Sequence, residues 1–146
     1  MSVPVRYRKP SPLEWQTLAQ DIRVDIIRLM GSEKVVPKSY RFTVAHPTVR
    51  HAHRLAEEVT HARSIYPTDT PSFEQRRHHL MEAVGCCDVL EDDLTLIKRI
   101  LDGTNLNRFE RTIIRLEREK QLLRSRIQSD RKTLEKPEQQ NLAAGH

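Results

Sequence analysis

Aromatic residues are scarce in this chain, at 5% of the sequence, and there are only four glycines in 146 residues. So few glycines cannot supply the repeated tight turns of an all-β sandwich or barrel. Cysteine is nearly absent as well: Cys86 and Cys87 are the only two, and they are adjacent. That excludes a disulfide framework and any zinc-ligand spacing, and it suits buried thiols in a reducing cytosol. No apolar run approaches the roughly 20 residues needed to span a bilayer. Glu14, Asp21 and Asp25 interrupt the early sequence before a secretory core could form. The expectation is a cytoplasmic protein with no membrane contact. A phosphate-cradling glycine loop and a nucleophile elbow are also missing, so no enzymatic activity, cofactor or metal is predicted.

What the chain does have is charge and helical periodicity. Charged residues make up 31% of it and hydrophobic residues 37%, with a net charge of +5. That balance fits amphipathic helices around one modest core, and the sign of the charge favours polyanionic partners. Proline and glycine divide the sequence into four helical segments, at about 12–30, 43–66, 72–102 and 105–134. The first carries Trp15, Leu18, Ala19, Ile22, Ile26, Leu29 and Met30 at helical spacing. In the second, Val49, Ala52, Ala56, Val59 and Tyr66 recur, with Pro47 in the first turn. Ser72 and Gln75 form an expected capping box for the third, whose stripe runs through Leu80, Val84, Cys87, Leu90, Leu94, Ile97 and Leu101 to Gly103. Leu106, Phe109, Ile113, Leu116, Leu123 and Ile127 mark the fourth, with Lys120 as the charged residue on that seam.

Alternating spacings of three and four, joined by short connections, predict an all-α, antiparallel up-down four-helix bundle over residues 12–136. Residues 1–11 are expected to be a flexible segment and 137–146 a disordered tail.

Charge is divided unevenly among the helices. Residues 104–136 carry ten basic and five acidic side chains, whereas residues 72–103 carry four and seven. Winding the fourth helix at about 100° per residue places Arg108, Arg111, Arg115, Arg118 and Arg126 on one arc away from the Ile113 to Leu123 seam. Guanidinium groups remain charged and offer paired donors to phosphate, so this arc is the candidate nucleic-acid-binding surface. Glu119 at its edge allows the plainer reading of a solvated, ion-paired helix face. Of the acidic run, Asp88 and Asp92 share a face, which suits docking to a basic neighbour better than metal binding. No two histidines on one helix have the i, i+4 spacing that grips zinc.

Three segments carry a family resemblance: V-P-K-S-Y-R-F (Val36 to Phe42), A-R-S-I-Y-P (Ala62 to Pro67) and R-R-H-H-L-M-E-A (Arg76 to Ala83). Across residues 35–101 the chain resembles the four-helix-bundle family of accessory variability determinant (Avd) proteins of diversity-generating retroelements and of ribosomal RNA intervening-sequence proteins. The resemblance implies a homopentameric ring with a positively charged surface. It also implies partnership with a reverse transcriptase and its template RNA or complementary DNA during mutagenic synthesis. The matched positions Pro37, Tyr40 and Phe42 would form the entry to the second helix, Tyr66 and Pro67 its end, and Arg76 and Arg77 the start of the third. Independently of the family, Leu122 and Ile114 near the arginine arc have no evident place in a monomer core. With Asp88 and Asp92 they form the expected oligomer interface. The alternative is a structural or adaptor bundle whose arginines serve subunit contacts and solubility rather than nucleic acid.

Overall fold

Apolar residues spaced by three and four make helices. The computed structural model, which describes residues 11–101 and 107–144, contains four α-helices and no strand among those residues. The first, α1 (Glu14–Gly31), buries Trp15, Leu18, Ala19, Ile22, Ile26 and Met30. Glu14 in its first turn and Arg28 in its last complement the helix dipole.

The second helix begins through two irregular turns, a 3-10 turn at Lys38–Tyr40 and a π turn at Arg41–Ala45, before α2 proper (His46–Arg63). Sequence spacing places the helix start near residue 43; the helical backbone in fact begins earlier. The cause is Pro47, which has no N–H to donate to the carbonyl four residues back and whose ring would crowd that turn. A widened turn, with the His46 N–H donating to the Arg41 carbonyl, keeps the chain helical around it. Thr48 then donates its hydroxyl to the Val44 carbonyl at 2.8 Å.

The third, α3 (Thr70–Ile100), is capped by Asp69 rather than by Ser72. The Ser72 N–H donates to Asp69 Oδ1 at 2.9 Å and the Asp69 N–H donates to Ser72 Oγ at 3.1 Å. Pro71 in the first turn needs no partner for a missing donor, so the helix starts before the serine instead of after it. The fourth, α4 (Asn107–Ala144), runs past the helix end expected near residue 134 and continues through residues 137–144, where a disordered tail is expected; Pro137 forfeits one backbone hydrogen bond there. The expected flexible segment through residue 10, the helix end at Gly103 and the start at residues 105 and 106 lie outside the described residues.

Each of α1 and α3 packs against both α2 and α4. Ile22 and Ile26 of α1, Leu55 of α2, Leu80, Leu90, Leu94 and Ile97 of α3, and Phe109, Leu116 and Leu123 of α4 are fully enclosed. Each such side chain contributes about 1.5–3 kcal/mol through burial. Val35 and Val36 close the core from the segment after α1. Tyr66, placed by spacing on the buried stripe of the second helix, is 77% exposed, because α2 ends at Arg63. Leu122, expected at an oligomer surface, is instead part of the core and shares a cleft wall with Trp15. The contact with α1 widens the buried face of α4 beyond its seam, enclosing Thr112, Glu119, Leu122 and Asp130.

Candidate nucleic-acid interface

The arginine arc of α4 faces α1, and α1 presents carboxylates to it. Glu14 and Asp25 lie eleven residues apart, three helical turns, and so share one side of α1. Arg118 donates from Nε and Nη2 to the two oxygens of Glu14, both at 2.9 Å. That paired contact holds the guanidinium above its ordinary basicity. Arg115 donates to Asp25 Oδ2 at 2.7 Å, and Arg111 stands 3.7 Å from the other oxygen. Further along, Arg126 donates to Asp130 Oδ1 at 3.1 Å.

Asp130 also stands 2.8 Å from Arg76 Nε, off hydrogen-bond alignment, so the two form an ion pair. Arg76 is buried: it donates to the Ile65 carbonyl at 3.1 Å and its guanidinium lies 5.2 Å from the Trp15 ring centre. Burial is the main cause lowering its basicity, and Asp130 opposes that shift. Arg76 therefore joins α3, α4 and the segment after α2. Arg77 meets Glu74 at the surface.

The five arginines of the arc thus divide by environment. Arg115, Arg118 and Arg126 are enclosed by carboxylates, whereas Arg108 is exposed and Arg111 is held only by its long contact with Asp25. With Arg28 of α1, Arg108 and Arg111 line a cleft of about 350 Å³ at the start of α4, where Asp25 is the one lining carboxylate among the described residues. A second cleft of about 400 Å³ runs alongside. Leu18 and Ile114 form its apolar floor, and Arg111, Arg115, Arg118 and Glu14 its rim. Ile114 is 63% exposed, the opposite outcome to Leu122.

The acidic run of α3 meets its basic neighbour within the same chain. Lys120 Nζ lies 3.0 Å from Asp88, 3.1 Å from Glu91 and 2.9 Å from Glu117, which together raise its basicity. That cluster explains how an ammonium is tolerated on the apolar seam. Asp92 is exposed, while Asp93 is 2.6 Å from His51 Nδ1. His79 contacts Glu58 at 2.7 Å and stacks on His61 at 5.0 Å. Among the described residues no group of three or more His, Cys, Asp or Glu is arranged to hold a metal ion. Burial pushes the Cys86 thiol up to about 11 and the Cys87 thiol higher still, so neither supplies a thiolate at neutral pH.

Sequence reasoning missed one residue on this face. Glu119, read as a solvated partner for Arg115, is completely buried, and neither of its oxygens has a hydrogen-bond partner among the described residues. Burial, reinforced by the charge of Glu14, raises its carboxyl to about 9. It is a neutral acid at physiological pH. Its position is predictable only once α1 is known to cover that side of α4.

No helix among the described residues is long and apolar enough to cross a membrane. Compared with protein-family models, curated proteins and solved structures, the chain gives no match.

Proposed function

We propose that this chain is an Avd-like accessory subunit, binding a reverse transcriptase and template RNA or complementary DNA through a basic surface and supporting mutagenic reverse transcription. Its action is binding in the cytoplasm, not catalysis. The observation that carries the nucleic-acid part is the cleft at the start of α4, where Arg28, Arg108 and Arg111 face solvent with Asp25 as the one lining carboxylate among the described residues. Exposed guanidinium groups release counterions from phosphate, and the positive end of a helix dipole adds to the attraction. The family part is supported by the three short segments quoted above and by the four-helix composition.

The bundle we propose is antiparallel and up-down. In support, residue numbers run in opposite directions across each ion-paired helix contact. Glu14 meets Arg118 while Asp25 meets Arg111; His51 meets Asp93 while Glu58 meets His79; Arg76 meets Asp130 while Asp88 meets Lys120. Assembly into a homopentameric ring is part of the same reading. The surfaces that remain for it are Ile114, Asp92 and two apolar stripes facing away from the core: Val24 and Ile27 on α1, and Val89 and Leu96 on α3.

One observation favours the alternative, a structural or adaptor oligomer that ignores nucleic acid. Three of the five arc arginines are already neutralised by carboxylates of the same chain. Light scattering with and without a structured RNA separates the two. A five-subunit mass and an RNA-bound species are expected, with affinity falling steeply as salt rises. Replacing Arg28, Arg108 and Arg111 together by Gln should flatten the salt dependence by roughly three contacts without altering assembly. An oligomer with no RNA-bound species at low salt would leave the adaptor reading.

A further inference from the structure

The π turn at Arg41–Ala45 places an aromatic ring in water. Phe42 is 77% exposed, although burying a phenylalanine is favourable and the neighbouring Tyr40 packs on the core. Its only ring neighbour among the described residues is His46, at 5.1 Å and 81°, an edge contact that does not stack the two rings. Phe42, His46, Pro47, Val49 and Arg50 line an open cleft of about 440 Å³.

Among the described residues lining this cleft, the charged side chain is Arg50. Arg50 is exposed and makes no ion pair with a described carboxylate. Arg41 and Lys38 share Glu33, at 3.9 and 3.8 Å, through exposed side chains, an arrangement that holds neither cation firmly. An aromatic face beside mobile cations is the combination that takes a flat, anionic-backboned ligand: the base stacks and the cations meet the flanking phosphates. A protein hot spot would instead surround the ring with packed apolar neighbours that exclude water; here the neighbours are an imidazole, a proline, a half-buried valine and a guanidinium.

We infer that Phe42, with Arg50 beside it, is a stacking site for an unpaired base of single-stranded nucleic acid. The inference rests on the nucleic-acid reading above and assigns it a second contact point, distinct from the basic cleft of α4. A duplex, whose bases are already stacked, gains nothing from the ring. The π turn is the positioning device, since a regular α-helical turn across Pro47 would rotate residue 42 to another side of the helix.

The test is fluorescence anisotropy with a labelled, unstructured RNA of about 12 nucleotides, and with the same sequence as a duplex. Phe42→Ala should weaken single-strand binding about 5- to 150-fold and leave duplex binding unchanged. Phe42→Trp should bind like the parent, and Phe42→Leu, which keeps the apolar bulk without the π face, should behave like the alanine variant. Circular dichroism confirms that the variants remain helical. Parent binding with no loss in Phe42→Ala, or full binding by Phe42→Leu, overturns the stacking site while the basic surface stands. A parent that binds no RNA removes both readings. A Phe42→Ala variant that keeps RNA binding but changes solution mass makes the ring a subunit contact and overturns the proposal.

Discussion

Glu119 breaks the usual rule that a buried charge is paired. Its protonation resolves the conflict, because a neutral carboxyl costs far less to enclose than a carboxylate. The cost appears in the pH dependence of stability. In the unfolded chain this side chain ionises near 4.5, whereas in the folded protein it holds its proton up to about 9. The unfolded state therefore binds fewer protons between those values, and the contribution of Glu119 to stability is fully present below pH 4.5 and is lost as pH rises toward 9. Glu119→Met, similar in length and apolar, should raise stability at pH 8 by about 1–4 kcal/mol, with the gain shrinking toward pH 4. Urea denaturation of parent and variant across that range measures it. A variant equally destabilised at both ends would mean that the carboxyl makes a specific hydrogen bond that outweighs its titration.

At the scale of elements, start signals are local and register is not. Asp69 and Ser72 exchange hydrogen bonds at the head of α3, and no other helix with a described start has a side-chain cap of this kind. Asp69→Ala should cost about 1 kcal/mol, read as a shift in the urea midpoint at unchanged slope. A shift within experimental error would mean that Ser72, three residues further on, caps the helix in place of Asp69. The π turn before α2 follows a different logic: Pro47 removes a donor, the turn widens, and Phe42 is turned out to solvent. Spacing alone shows that a proline sits near a helix start; it does not show that five residues upstream remain helical.

For the whole molecule, the two outward stripes have opposite settings. Val24 and Ile27 lie beside Arg23 and Arg28, and Val89 and Leu96 lie beside Asp88 and Asp92. Since α1 and α3 each pack on α2 and α4, the stripes belong to different sides of the bundle. A contact between unlike faces of successive copies repeats head to tail and closes only as a ring. Changing Val24 and Ile27 to Glu, or Val89 and Leu96 to Glu, should each reduce the solution mass to that of a monomer, and mixing the two variants should yield a one-to-one dimer through the faces left intact. Assembly indifferent to both changes would move the interface to Ile114 and the α4 groove. Loss of mass without restoration on mixing would indicate a like-face contact.

Four helices and most of the core were readable in the sequence, because burial on one side of a helix repeats every three or four residues whatever it packs against. Ile22, Leu90 and Leu116 sit where periodicity places them. Tertiary structure decided which neighbour covers which flank, and periodicity carries no record of that. Helical winding puts the five arginines on one arc of α4, but only the approach of α1 reveals that Glu14 pairs with Arg118 and that Asp25 pairs with Arg115 and, at longer range, with Arg111. The same approach buries Leu122 and Glu119, whereas Ile114 stays in solvent. A helix wheel ranks positions around one axis; the free energy of a charged side chain depends on the second helix that removes its water and supplies its counter-charge.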